Sequence, residues 1–194
     1  MRTYFLAVAA LIALSLRVLA APVELRPIGD LRRSALRLTV GEHIHCTAFA
    51  LQPPLFVTAA HCVTDAQAPI TLRDASGREW AATVSNFRQD LDVATLQSEV
   101  PAAALALGAD PIEDDSVALM SAVGGDLLFS LRGRMAGVNG PYVVLQLPHQ
   151  GPGGSGAPLL CGADYAVCGI ALGALEVSNL VVALPVSRWR SLVE

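Results

Sequence analysis

From about residue 38 onward, the chain alternates apolar and polar positions in short runs, with a period nearer two than the 3.6 of a helix. Ile44 to Leu51, the turn Gln52-Pro53-Pro54 and Leu55 to Ala60 predict a hairpin that delivers His61 at its end. Ile70 to Arg73 and Glu79 to Asn86 flank Asp74-Ala75-Ser76-Gly77, a second hairpin signal, and Val93 to Gln97 follows as a buried strand. Strand signals resume at Val117 to Val123, Leu127 to Leu131, Arg134 to Val138 and Tyr142 to Leu147. After a glycine-rich turn come Ala157 to Leu160, Val167 to Leu172 and Leu180 to Leu184. Ser187 to Val193 is expected to form a short terminal helix, with Trp189 packing on the body. Regularly spaced strands with turn residues between them indicate an all-β barrel or sandwich.

The first twenty residues follow another pattern. Arg2 supplies a short positive region, Tyr4 to Leu16 an apolar one, and Val18-Leu19-Ala20 small or apolar residues at a cleavage position. This reads as an export signal cleaved after Ala20, with an uncleaved anchor as the rival; Arg17 interrupts the run and disfavours a spanning helix. The remainder, residues 21–194, is long enough for one large domain or two small subdomains sharing an interface. Composition changes the picture only by exclusion. At 53% hydrophobic and 15% charged, with a net charge of -4, the chain can bury a sizeable core. It carries no basic footprint for nucleic acid and none for anionic lipid. Four cysteines behind an export signal predict two disulfides. Three pairings are open; Cys46–Cys62 with Cys161–Cys168 is favoured, since each pair flanks a predicted hairpin.

Three segments carry the chemistry. Thr58-Ala59-Ala60-His61-Cys62 puts a histidine at the end of an apolar strand. Leu91-Asp92-Val93-Ala94-Thr95-Leu96 opens a hydrophobic strand with an aspartate, and Gly153-Gly154-Ser155-Gly156-Ala157-Pro158 sets a serine in a glycine-rich turn. Histidine, aspartate and serine are the parts of an acyl-transfer machine. A GGSG sequence alone would read as a flexible linker, but here Ala157-Pro158-Leu159-Leu160 re-enters a strand at once. In this order the TAAHC, DVAxL and GxSGxP segments resemble those of the trypsin-like, chymotrypsin-fold serine proteases, over a stretch from about Thr39 to the C-terminus.

The resemblance implies two six-stranded antiparallel β-barrels with the active site in the cleft between them. The boundaries read as an N-terminal barrel over about 38–100, a connector over about 101–116 and a C-terminal barrel over about 117–194. Ser155 is then the nucleophile, His61 the general base and later the general acid, and Asp92 the group that holds the imidazole tautomer. Asp92 is preferred to the nearby Asp90 because Val-Ala-x-Leu follows it directly, as in the family pattern. Backbone N–H groups of Gly153 and Ser155 would receive the oxyanion. A disulfide beside the catalytic histidine is common in the family, in line with Cys46–Cys62. The chain departs from the family at Gly154, where many relatives have Asp or Asn. A side chain that could brace the turn is missing, and activation by a newly freed N-terminus is not expected. The pocket would involve His149 at its base and Leu172-Gly173-Ala174 along the substrate strand, with a small or medium apolar side chain preferred; the alternatives are that His149 favours an acidic or polar side chain through a hydrogen bond, or is an exposed loop histidine.

Two other groupings bring together residue types that bind metals. His43-Ile44-His45-Cys46 places alternate residues on one strand face but offers no third ligand. Glu113-Asp114-Asp115 lacks the alternating spacing of a calcium loop and reads as a solvated connector. No metal or cofactor is expected. The expected partner is a peptide or protein substrate, with no nucleic acid and no membrane after signal cleavage. A monomer, secreted or periplasmic, is expected. The leading function is a serine endopeptidase; the alternative is a weak or inactive homologue that uses the cleft to bind peptides or a partner. A small β-domain with redox or metal chemistry is the third.

Overall fold

The computed structural model describes residues 31–41, 44–64, 68–121, 129–147, 153–175 and 179–194. The expected export signal, His43 and His149 lie outside the described residues. No helix among the described residues is long and apolar enough to cross a membrane.

Among the described residues, twelve strands close into two antiparallel barrels. The first contains β1 (Ala35–Val40), β2 (Ile44–Gln52), β3 (Leu55–Ala59), β4 (Ile70–Arg73), β5 (Glu79–Arg88) and β6 (Val93–Gln97). They join in the order β1-β2-β3-β6-β5-β4. The second contains β7 (Ser116–Ser121), β8 (Phe129–Asn139), β9 (Tyr142–Gln146), β10 (Pro158–Cys161), β11 (Ala166–Leu175) and β12 (Leu180–Pro185). Their order is β10-β11-β12-β9-β8-β7. This is the all-β, two-barrel fold expected. Closure gives every strand of the two barrels a neighbour on each side.

The strands divide six and six, whereas the sequence pattern reads five and seven. The pattern names no strand before Ile44, where β1 lies, and it splits β8 at Arg132-Gly133. Gly133 reads as a turn but sits inside the strand because backbone packs against it. A Cβ there would run into the Gln146 carbonyl oxygen and lie 2.5 Å from the Leu147 side chain.

Period-two alternation sorts the core into three clusters. Cys46, Ala48 and Ala50 of β2 point into the first barrel with Leu36, Leu38, Phe56, Leu72 and Leu96. Val117, Leu119, Leu145, Leu159 and Val181 fill the second. Between the barrels, Phe49 and Leu51 from the opposite face of β2 meet Met120, Leu160, Val167 and Ile170. The connector is stitched to both sides: the Leu105 N–H donates to Ala50 O at 3.0 Å, and the Gly108 N–H to Val167 O at 2.8 Å.

The chain ends in two 3-10 turns, Val186–Arg188 and Arg190–Leu192, rather than one longer helix. Trp189 between them is fully buried and meets Phe49 edge-to-face, centroids 6.2 Å apart at 69°. Such a pair contributes about 0.5–1.5 kcal/mol beyond its burial, so the C-terminus of the second barrel is clamped to the first.

Candidate active site

β3 runs out of apolar alternation at Ala59, and Ala60–Val63 turns once as a 3-10 helix. That turn carries His61 to the surface while Ala60, Cys62 and Val63 stay buried. Cys62 is bonded to Cys46 on β2, which ties the turn to the barrel wall. The second disulfide joins Cys161 to Cys168 across the β10–β11 hairpin. Both are the favoured pairings.

Asp92 ends the turn between β5 and β6 with φ 55°, a left-handed conformation that a short polar side chain tolerates better than a bulky one. From there its carboxylate spans two groups of one residue. Oδ1 accepts the His61 backbone N–H at 2.8 Å, and Oδ2 lies 2.7 Å from His61 Nδ1. The Asp92 carbonyl also accepts the Ala60 N–H at 3.1 Å. The side-chain hydrogen bond to Asp92 raises the His61 pKa above its usual value; desolvation opposes the rise and the Asp92 charge adds to it. Asp90, the competitor in sequence, turns away: Arg88 holds both its oxygens at 2.8 and 2.6 Å and lowers its pKa.

Ser155 stands in the turn before β10, and its surroundings come from both barrels. Its carbonyl accepts the Thr47 N–H at 2.8 Å. Gly156 at φ 80° has no room for a side chain, since a Cβ would strike the Thr47 carbonyl oxygen. The Gly156 N–H donates to Ala171 O at 2.7 Å and the Ala157 N–H to Gly154 O at 3.1 Å. The Gly153 and Ser155 N–H groups have no such partner among the described residues.

The Ser155 hydroxyl donates to the Leu172 carbonyl at 3.2 Å. It makes no hydrogen bond to His61 among the described residues, although the general-base role read for His61 calls for one. The register of β11 against β12 shifts between Ala171 and Gly173, which leaves Leu172 without a ladder partner on that strand. Leu172 and Gly173 are half-buried and Ala174 is exposed, and a Cβ on Gly173 would meet open space.

The remaining groupings resolve simply. Cys46, His61 and Cys62 converge closely enough to hold an ion, but both sulfurs are consumed in the disulfide. That also removes Cys46 from the His43-His45-Cys46 set, and His45 accepts from Arg37. In the acidic run, Asp115 Oδ2 caps the Ile112 N–H at 2.9 Å.

The sequence assigns no role to Thr47 and places Thr58 only within the segment that leads to His61. Thr58 Oγ1 donates to Thr47 O at 2.8 Å, and Thr47 Oγ1 donates to Gly153 O at 2.7 Å. The local pattern does not single out Thr47, which shares its face of β2 with Phe49 and Leu51 but also with the polar His45.

A family model described as a trypsin-like peptidase domain matches residues 46–170. Among solved structures, the Rv3671c protease of M. tuberculosis in an inactive form is similar, with a TM-score of 0.74 and 20% identity over 88% of this chain and 90% of that one. Its serine-to-alanine mutant, also inactive, gives 0.75 at 20% identity over 89% and 92%. The active form gives 0.74 at 20% identity over 88% and 82%. At that identity the likeness establishes the fold. No curated protein matches the chain.

Proposed function

The chain belongs to the trypsin-like peptidase family, and on that premise we propose that it is an exported serine endopeptidase working through an acyl-enzyme intermediate. The observation that carries this reading is the two-point grip of Asp92 on His61, through Nδ1 at 2.7 Å and the backbone N–H at 2.8 Å. With Nδ1–H donated to the carboxylate, the proton is absent from Nε2, whose lone pair is the base. Rotation of the Ser155 side chain off Leu172 O brings its hydroxyl to that lone pair. Ser155 Oγ then bonds to the substrate carbonyl carbon, and its proton passes to Nε2. The Gly153 and Ser155 N–H groups receive the oxyanion. His61 returns the proton to the leaving amine, and water repeats the sequence to release the acid. Cleared of Ser155, the Leu172 carbonyl and the open strand edge at Gly173 and Ala174 are left to pair with an extended substrate backbone. The absence of an acidic residue from the pocket positions supports a small or medium apolar side chain at the cleaved bond.

A second reading, a silent homologue that holds peptides in the cleft, is favoured by one observation: the resting Ser155 hydroxyl is bonded to Leu172 O and not to His61. A fluorophosphonate probe separates the two. The mature protein should label at neutral to mildly alkaline pH and Ser155→Ala should not; failure of the wild-type protein to label leaves the binding reading in place.

A further inference from the structure

The turn that bears Ser155 has glycine at 153, 154 and 156. Consecutive glycines leave the backbone free to turn either donor away from the oxyanion site. Three peptide planes matter. The 152–153 plane carries the Gly153 N–H, the 154–155 plane carries the Ser155 N–H, and the 153–154 plane between them sets the angle at which they converge. The last plane is fixed by the N-terminal barrel. Thr47, 0% exposed, donates its hydroxyl to the Gly153 carbonyl at 2.7 Å. Its N–H meanwhile holds the Ser155 carbonyl at 2.8 Å. Thr47 cannot shift to follow a disordered turn. Thr58 Oγ1 grips its carbonyl at 2.8 Å, its neighbour Cys46 is bridged to Cys62, and Gly156 is packed against its carbonyl oxygen.

We propose that Thr47 is the positioning residue that sets the oxyanion-binding conformation of the Gly153–Ser155 turn, supplying from the first barrel the brace that Gly154 cannot. The inference rests on the serine-peptidase reading. It adds a residue that touches neither substrate nor the reacting atoms and acts only through the orientation of a peptide plane. It also makes the nucleophile turn a cross-barrel structure, so the first barrel sets both the base and the donor geometry.

The test uses Thr47→Val, which keeps the shape and removes the donor, beside Thr47→Ser, which keeps the donor. Readouts are the fluorophosphonate labelling rate, kcat and KM for a p-nitrophenyl ester, and Tm. Losing one oxyanion donor costs 10²–10³ in rate, so an indirect loss of alignment is expected to lower kcat by about 10–100-fold in Thr47→Val, with KM within about twofold. Thr47→Ser should stay within about threefold of wild type, because the hydroxyl is what orients the turn. The pH at which activity is half-lost should be unchanged in both, since His61 and Asp92 are untouched. Should Thr47→Val fail to fold, Thr47→Ala, which puts no methyl against the Gly153 carbonyl, carries the same expectation. Wild-type-like kcat in the folded donor-less variant, or equal losses in Thr47→Ser and Thr47→Val, overturns the proposal while leaving the peptidase reading intact. A wild-type protein that neither labels nor hydrolyses ester overturns both.

Discussion

The two halves of the cleft are held by different means. On the base side, Asp92 takes three hydrogen bonds or contacts from the Ala60–His61 segment: two on its carboxylate and one on its carbonyl. All of them lie within the first barrel, and the Cys46–Cys62 bridge stands behind them. On the nucleophile side, the second barrel gives the turn three backbone hydrogen bonds, Gly156 N–H to Ala171 O, Ala171 N–H to Ala157 O and Ala157 N–H to Gly154 O. Two more, on the Gly153 and Ser155 carbonyls, come from Thr47, across the interface. The base is therefore preorganised by its own barrel, whereas the nucleophile borrows its geometry. A site built in this way should respond differently to damage on its two sides.

The largest expected effect is on the base side. Asp92→Asn keeps the shape but offers Nδ1 the wrong partner, and should lower kcat by about 10⁴-fold by favouring the wrong tautomer. Asp90→Asn, whose carboxylate is occupied by exposed Arg88, should leave kcat within about twofold. Ester hydrolysis by the two purified variants measures both. Equal losses would mean that the orienting acid has been misassigned.

The disulfides sharpen the same contrast. Cys46–Cys62 closes a separation of 16 and Cys161–Cys168 one of 7. In the chain-entropy model these contribute about 3 and about 2.5 kcal/mol, nearly the same. Replacing either pair by serine should therefore lower stability to denaturant by similar amounts. Their effects on labelling should diverge. Cys46 adjoins Thr47 and Cys62 adjoins His61, so losing that bridge loosens both halves of the site and should slow labelling at least about tenfold. Losing Cys161–Cys168, which pins a hairpin beyond the turn, should leave the rate of the folded fraction within about threefold. Equal rate losses in the two variants would dissolve the distinction between the halves.

What the sequence made legible follows from range. β4 and β6 fall at Ile70–Arg73 and Val93–Gln97, as read, because each is a short run bounded by turn residues. The disulfide pairs were also within reach, since each flanks a predicted hairpin, and the Asp92–His61 neighbourhood was implied by the family resemblance. Gly133 misled because a glycine demanded by close backbone approach looks the same as one demanded by a turn. Thr47 gave no warning as a site residue, because threonine is an ordinary strand former and its partner lies 106 residues away. The Ser155–Leu172 hydrogen bond was beyond reach for a similar reason. It is made at a register shift between two strands, which no local pattern encodes.

The smallest expected effect is the most specific to the base side. The hydrogen bond from Asp92 raises the His61 pKa above the usual 6.5, desolvation pulls against it, and the Asp92 charge adds to the rise. Acylation needs neutral Nε2, so kcat/KM for an ester should fall tenfold per pH unit on the acid side of a midpoint lying above 6.5. Thr47→Val should lower the plateau and leave the midpoint in place. Asp92→Asn should move the midpoint down, since both raising influences go and desolvation stays. Stability runs the other way. A raised folded-state pKa means that His61 protonation favours the folded protein fully below the unfolded value near 6.5, and this contribution is lost as pH rises through the folded one. The His61 side chain is 46% exposed, so solvent screens the pair and the contribution is small. Activity should therefore climb through the same window in which this increment of stability disappears. A wild-type midpoint at or below 6.5 would show that Asp92 does not grip His61 in solution, and the contrast between a preorganised base and a borrowed nucleophile would fail with it.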